Sequence, residues 1–181
     1  MENTLRKAAI KISKETAFVL LTVASAVVLP KILHGVGTAL GVGGQLGQIF
    51  LPMYLPVLIL GFYRGVIPGA VVGLLAPLVS FGLTGMPAQA LLPYVTVELI
   101  ATGVFAGILA NARLHGVLRV LSVQIAAKAI RLLVYAIALY AARGTVAPSA
   151  LFAGIPASLP GVLLQLALVG FLLGKKAHAS K

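Results

Sequence analysis

The stretch from residue 48 to residue 98 limits the folds open to this chain more than any other feature. It contains only two charged side chains, Arg64 and Glu98, among long apolar runs that are divided by prolines. A soluble domain carries about a quarter charged residues. The stretch therefore predicts a helical hairpin joined to a third span, all of it in lipid.

The whole chain has the same character, with 60% hydrophobic and 9% charged residues and a mean hydropathy of +1.10. A membrane span needs about 20 apolar residues to cross a ~30 Å hydrocarbon layer. We expect an all-α integral membrane protein, a six-transmembrane-helix bundle that forms one membrane domain over residues 1–181. The expected spans are about 16–33, 50–63, 66–83, 91–110, 117–141 and 157–174. The second would rise only about 21 Å, so it must tilt or stop short of one interface.

Lysine and arginine are distributed unevenly over the predicted loops. If the amino terminus is inside, the cytoplasmic segments hold Arg6, Lys7, Lys11, Lys14, Arg64, Arg113, Arg119, Lys175, Lys176 and Lys181, and the outer loops hold only Lys31 and Arg143. This positive-inside bias predicts that both termini are cytoplasmic. The net charge of +11 fits this orientation better than nucleic-acid binding, because the basic residues are not clustered on one face.

The residue types needed for catalysis or for metal binding are scarce. The chain has no cysteine and no aspartate, and its histidines, His34, His115 and His178, fall outside the predicted spans. One intramembrane glutamate without a second carboxylate or a nearby histidine makes neither a metal site nor an acid–base pair. We expect no catalytic residue, metal or cofactor. Nucleotide-hydrolysing motifs are also absent from the sequence.

Polar side chains concentrate on one face of the fifth span. Gln124, Lys128, Arg131 and Tyr135 are spaced by four, three and four residues, which places them within an arc of about 60° on a helix. A cation near the centre of a span costs ~2.5–3.5 kcal/mol, so two on one face need a compensating partner or water.

Two other spans offer polar groups for the same region. The fourth carries Tyr94 and Glu98, and the sixth carries Ser158 and Gln165. We expect these four residues and the four on the fifth span to line a substrate-binding cavity. Two cations against one acid favour a ligand with a carboxylate or similar anion. The alternative is a structural Glu98–Arg131 ion pair, with Lys128 reaching toward the membrane interface.

The loop over residues 34–48 is rich in glycine and carries no Lys, Arg, Asp or Glu. Its permissive backbone predicts a lid that closes over a ligand. The expected lid residues are His34, Gly41, Gly43, Gly44, Gln45 and Gln48. The alternative is a plain flexible connector.

Small residues mark predicted helix–helix contacts. Gly69 and Gly73 are four apart on the third span, and Gly103 and Gly107 on the fourth. Such spacing lets helix backbones approach closely. A further set of small residues lies on the first span, at Ala17, Thr22 and Ala26. We expect these residues to contact a partner subunit, and the alternative is packing within the bundle.

The run FLPMYLPVLILGFYRGVIPGAVVGLLAPLVSFGLTGMP and the later PYVTVELIATGVFAGIL resemble the substrate-binding S component of energy-coupling factor (ECF) transporters. The resemblance covers roughly Leu51–Leu109. It implies capture of a vitamin-like small molecule in a prokaryotic cell membrane, with delivery through a membrane coupling subunit and two ATPase subunits. It also makes the small residues of the first span the surface for the coupling subunit.

The sequence departs from that family at two points. Tyr63-Arg64 stands where a Gly-Pro turn is common, and the metal-binding amino terminus of the nickel and cobalt members is absent, which argues against a metal substrate. Two other classes stay open. A self-sufficient secondary carrier or channel would use Glu98 or Lys128 as a proton-coupling group, and a structural membrane subunit would use the polar face for internal pairing only.

Overall fold

The computed structural model describes residues 2–41, 50, 52–143 and 155–179, and over these residues the chain is helical, without strands. The helices are α1 (Glu2–Ala39), α2 (Tyr54–Arg64), α3 (Val66–Thr84), α4 (Leu92–Ile108), α5 (Gly116–Arg143) and α6 (Ile155–Ala179). A short 3₁₀ turn, Leu109–Asn111, continues α4. The predicted all-α fold is confirmed.

Among the described residues, five helical segments are long and apolar enough to cross a membrane. They are Ser13–Ala39, Val66–Thr84, Leu92–Asn111, Gly116–Ala142 and Ser158–Lys175. Large apolar side chains lie exposed on their outer faces, such as Leu20, Ile67 and Phe171 at 62%, 77% and 62%. Lipid would cover these faces, whereas water would not tolerate so much contiguous apolar surface. The fold fits a transmembrane helical bundle.

Helix α2 is the exception in length and lies in the centre of the bundle. Its 11 residues rise only about 16 Å, roughly half of a ~30 Å hydrocarbon layer. Val57 packs in a cluster with residues of α1, α3 and α4, while Leu58 and Phe62 pack in a second cluster with α4, α5 and α6. The second predicted span, 50–63, is therefore a short buried helix that joins two halves of the core.

The amino-terminal helix is longer than the predicted span 16–33. It continues through Pro30, past Gly35, and ends at Ala39, two residues before Gly41, which has φ +75°. Proline removes one backbone hydrogen bond without ending this helix, and glycine supplies the positive φ that a helix end often needs. His34 was predicted in the lid loop, but this is wrong, because His34 lies on α1, where its carbonyl accepts a hydrogen bond from Thr38.

Glycines bring α3 and α4 into backbone contact. A Cβ on Gly103 would overlap the backbone of Gly69, and a Cβ on Gly73 would overlap the Leu99 carbonyl. Near the turn between α2 and α3, Gly107 packs against the backbone of Val66 in the same way. The predicted close approach of helix backbones at these glycines is confirmed, and the structure identifies α3 and α4 as the two partners. This contact sets the rotation of α4, and thereby directs Glu98, on the opposite side of the helix from Gly107, into the bundle.

The small residues of α1 do not form one surface. Ala26 is fully buried in the core cluster with Val57 and Val72, whereas Ala17 is exposed. Nine residues separate the two alanines, so they point about 180° apart on the helix. The prediction of partner contact is thus wrong for Ala26. It stays a prediction for Ala17 and for the half-buried Thr22.

A charged contact that the sequence did not predict joins α1 to the last residue of α2. Arg64 Nη1 lies 2.8 Å from Glu15 Oε1, and the guanidinium carbon lies 3.8 Å from the centroid of the Phe18 ring. Both charged side chains are about one-third exposed. Arg64 is therefore neutralised at the end of the bundle that the charge count assigns to the cytoplasm.

Candidate functional site

A buried carboxylate with two basic partners forms the centre of the candidate site. Glu98, on α4, is fully buried, and its Oε2 accepts a hydrogen bond from Arg131 Nη1 at 2.8 Å. Its Oε1 accepts one from Lys128 Nζ at 3.2 Å. Lys128 and Arg131 reach the same carboxylate because three residues on a helix bring side chains to one face. We call Glu98, Lys128 and Arg131 the charged cluster.

The charged cluster has more positive than negative formal charge. Glu98 contributes one negative charge against two positive charges, and Lys128 and Arg131 are 18% and 32% exposed. Charges removed from water need compensation by close opposite charges and hydrogen bonds. Glu98 supplies this to both cations, but one positive charge remains in excess. The predicted alternative in which Lys128 reaches away to the interface does not match the Lys128–Glu98 contact.

Tyr54 is a site residue that the sequence analysis missed. It lies at the start of α2, is only 3% exposed, and its side chain lies beside Glu98 and Arg131. A buried tyrosine hydroxyl usually finds a hydrogen-bond partner. Tyr54 stands inside an apolar run, so its need for a hydrogen-bond partner could have identified it as a site residue. The α2 helix thus contributes to the site through Tyr54, as α4 does through Glu98.

Two tyrosines pack on one side of the charged cluster. The rings of Tyr94 on α4 and Tyr135 on α5 meet edge to face, with centroids 5.0 Å apart and an interplanar angle of 87°. Tyr135 follows Arg131 by one helical turn and lies beside it. The aromatic pair therefore covers the cluster toward the start of α4 and the end of α5, which is the side predicted to face outward.

Two amides pair on the other side of the cluster. Gln124 Nε2 on α5 donates a hydrogen bond to Gln165 Oε1 on α6, and both side chains are buried. Gln124 Oε1 has no hydrogen-bond partner among the residues that the structure describes. An unpaired buried amide oxygen costs about 1–3 kcal/mol. Gln124 therefore keeps a free acceptor for a water molecule or a ligand donor.

The four predicted polar residues of α5 each contact a side chain of a neighbouring helix. From Tyr135 through Arg131 and Lys128 to Gln124 they extend about 16 Å along the helix axis. Their partners come from α2, α4 and α6. Ser158 is also buried on α6, two turns before Gln165 on the same face.

Most of the predicted lid residues lie outside the part of the chain that the structure describes. Gly41 closes α1 with a positive φ. Gly43, Gly44, Gln45 and Gln48 lie outside the described residues.

The site is rich in hydrogen-bond donors and carries two cationic side chains. Within the described ranges there is no group of three or more His, Cys, Asp or Glu side chains that could hold a metal ion. What the site offers is one guanidinium, one ammonium, phenol groups and amides around a single carboxylate. These are groups that recognise an anion and its hydrogen-bonding neighbours.

The fold and site together fit a transmembrane helical protein with a polar, charged interior. A comparison with protein-family models, with curated proteins and with solved structures found no match. The site and the sequence resemblance are therefore the two sources of information on function.

Proposed function

We propose that this protein is the substrate-capturing membrane subunit of an ECF-type importer. It binds a vitamin-like small molecule with an anionic group from the outside of a prokaryotic cell membrane. In this proposal the chain forms six spans with both termini in the cytoplasm, and α2 with its flanking residues makes the second crossing. A membrane coupling subunit and two ATPase subunits would supply the energy.

The proposal rests mainly on the excess positive charge of the charged cluster. A structural site would balance its charges within the protein, since an uncompensated buried charge is costly. Glu98 contacts both cations, yet Lys128 and Arg131 together carry one charge more than it neutralises. A bound monoanion would complete the balance.

The chemistry of the cluster fits that role. The Arg131 guanidinium has a planar fork of five N–H donors, only one of which bonds to Glu98 by hydrogen-bond geometry, so others are available to a carboxylate. Lys128 presents three N–H donors, one directed at Glu98. Glu98 fixes both cations, and the Tyr94–Tyr135 pair supplies an aromatic surface for the less polar part of a ligand.

The sequence pattern over Leu51–Leu109 supports the assignment to the S components. It includes Glu98 and the glycines that orient α4. The sequence contains no nucleotide-hydrolysing motif, so in this proposal other chains supply the ATPase activity.

A structural membrane subunit is the second candidate, and a specific contact favours it. Glu98 is shared by both cations at 3.2 and 2.8 Å, as expected of an internal brace between α4 and α5. On this view the remaining charge is met by water or lipid headgroups. The two candidates differ in whether the protein retains a small molecule.

Mass spectrometry of molecules that co-purify with the protein tests the proposal. We expect a monoanionic small molecule in the wild-type preparation, and its loss from Lys128→Gln protein that is folded. Lys14→Gln, an exposed lysine at the start of the α1 span, is the matched control and should retain it. A preparation that retains no small molecule, and that binds none from a panel of anionic vitamins by calorimetry, would favour the structural role.

A further inference from the structure

A groove lies at the other end of the bundle from the aromatic pair, between the start of α5 and the last part of α6. Its cavity volume is about 810 Å³, and its lining runs along α6 from Ala167 to Lys175, with His115 and Val117 on the α5 side. This volume is within the ~300–1,000 Å³ of small-molecule sites. None of its lining residues belongs to the charged cluster.

The groove has apolar side chains along its length and basic side chains at one end, which we call its mouth. Phe171 and Val117 are exposed along its wall at 62% and 38%. At the mouth, the Lys175 ammonium lies 4.8 Å from the centroid of the Phe171 ring, and His115 lies across from it. The cation–π contact holds a positive charge where the apolar surface ends. Arg113, which precedes His115 by two residues in the sequence, is also exposed.

We propose that the groove binds an anionic phospholipid, with the headgroup at Lys175 and His115 and one acyl chain along Phe171 and Val117. Basic pockets between transmembrane helices on the cytoplasmic side bind anionic headgroups. From Lys175 back to Ala167 the groove extends roughly 12 Å, which is close to the depth of one leaflet of a ~30 Å hydrocarbon layer. A transmembrane helix of a partner would need a seam about twice as long.

Glycine makes the groove open. Gly174 lines it, and a Cβ at this position would meet no atom within 4 Å, whereas a Cβ on Gly170 would contact Val117. The first carbon of a side chain at position 174 would therefore enter the groove without meeting α5. Gly174→Leu is thus a substitution that fills the space of the acyl chain.

The test is native mass spectrometry of the full chain in nanodiscs that contain equal parts phosphatidylglycerol and phosphatidylcholine. We expect wild-type protein to retain phosphatidylglycerol selectively. Gly174→Leu should lose most of this retention, and Lys175→Gln should lose about fivefold, the value of one lysine near an anionic surface. Gly82→Leu is the matched control, because Gly82 is also helical and open but lies at the far end of α3.

Several results would overturn the proposal. One is equal retention of both lipids by the wild type, and another is unchanged retention by folded Gly174→Leu. A third is a Gly174→Leu protein that loses a co-purifying membrane protein but keeps its lipid, since the groove would then hold a partner helix. If Gly174→Leu does not fold, crosslinking of wild-type protein by a phosphatidylglycerol with a diazirine on its acyl chain decides the question. Crosslinks on the 167–175 segment support the site, and crosslinks spread evenly over the exposed helices contradict it.

Discussion

Arg131 Nη1 lies 2.8 Å from Glu98 Oε2, although the two residues come from different helices and 33 positions separate them. This contact joins α4 to α5 in the interior of a chain whose helices are otherwise apolar. Lys128 Nζ contacts the other carboxylate oxygen of Glu98, so a single carboxylate pairs with two cations. We expect the stability of the bundle to depend on this arrangement, and the proposed binding of an anion depends on it as well.

A double-mutant cycle measures how strongly the charged cluster is coupled. Glu98→Gln should be the most damaging single change, lowering the free energy of unfolding by about 3–5 kcal/mol, because it leaves two cations without an acid. Arg131→Gln should cost less, since Lys128 still neutralises Glu98. The double variant should recover about 1 kcal/mol or more of the summed loss. Denaturant unfolding in detergent checks this, and strictly additive losses would show that the contact contributes nothing.

Close packing of α3 on α4 predicts a sharp difference between two glycines. Gly103→Ala should destabilise the protein by about 1–3 kcal/mol, because its Cβ would overlap the Gly69 backbone and force the helices apart. Gly82→Ala, also within a helix but in open space, should be neutral or should stabilise by about 0.5–1 kcal/mol. Thermal unfolding of the two purified variants makes the comparison. Equal melting temperatures would mean that α3 and α4 are not in backbone contact.

The two alanines on α1 separate core packing from partner contact. Ala26→Leu should lower the melting temperature of the isolated protein, because Ala26 is fully buried against Val57 and Val72. Ala17→Leu should leave stability unchanged, because Ala17 is exposed, but should weaken co-purification with the proposed coupling subunit. Loss of stability in Ala17→Leu would place that residue inside the bundle. Normal complex formation by Ala17→Leu would remove it from the partner surface.

Orientation can be tested with single cysteines, since the native chain has none. Gln89→Cys, in the exposed turn between α3 and α4, should react with an impermeant thiol reagent added outside intact cells. His115→Cys, exposed between α4 and α5, should react only after the cells are opened. Gln89 is a better position than Gly85, whose φ of +71° disfavours any side chain. The reverse labelling pattern would contradict the positive-inside assignment.

Much of this structure could be predicted from the sequence because spacing on a helix is determined by geometry. The shared face of Lys128 and Arg131 follows from a helical rotation of 100° per residue. The glycines four residues apart predict close helix contact, although they do not say which helix is the partner. What could not be predicted depended on tertiary packing. The contact of Lys128 with Glu98 requires the packing of α5 on α4, and the presence of Tyr54 beside the charged cluster requires the position of α2.

The helix ends were predictable only in part. The first span was predicted to end at residue 33, whereas α1 continues through Pro30 to Ala39. The spacing of the small residues on α1 was also ambiguous. It does not show which face of the helix meets the core, and Ala26 and Ala17 lie on opposite faces.

The central claim is that the charged cluster binds an anion. Its most direct test is calorimetric titration of the co-purifying small molecule, once removed, into wild-type protein and into Lys128→Gln, with Lys14→Gln as the control for loss of a lysine elsewhere. Loss of one partner of a buried charge contact costs ~2–5 kcal/mol, so Lys128→Gln should bind at least about tenfold more weakly while Lys14→Gln binds normally. Wild-type affinity in a folded Lys128→Gln protein would contradict the claim.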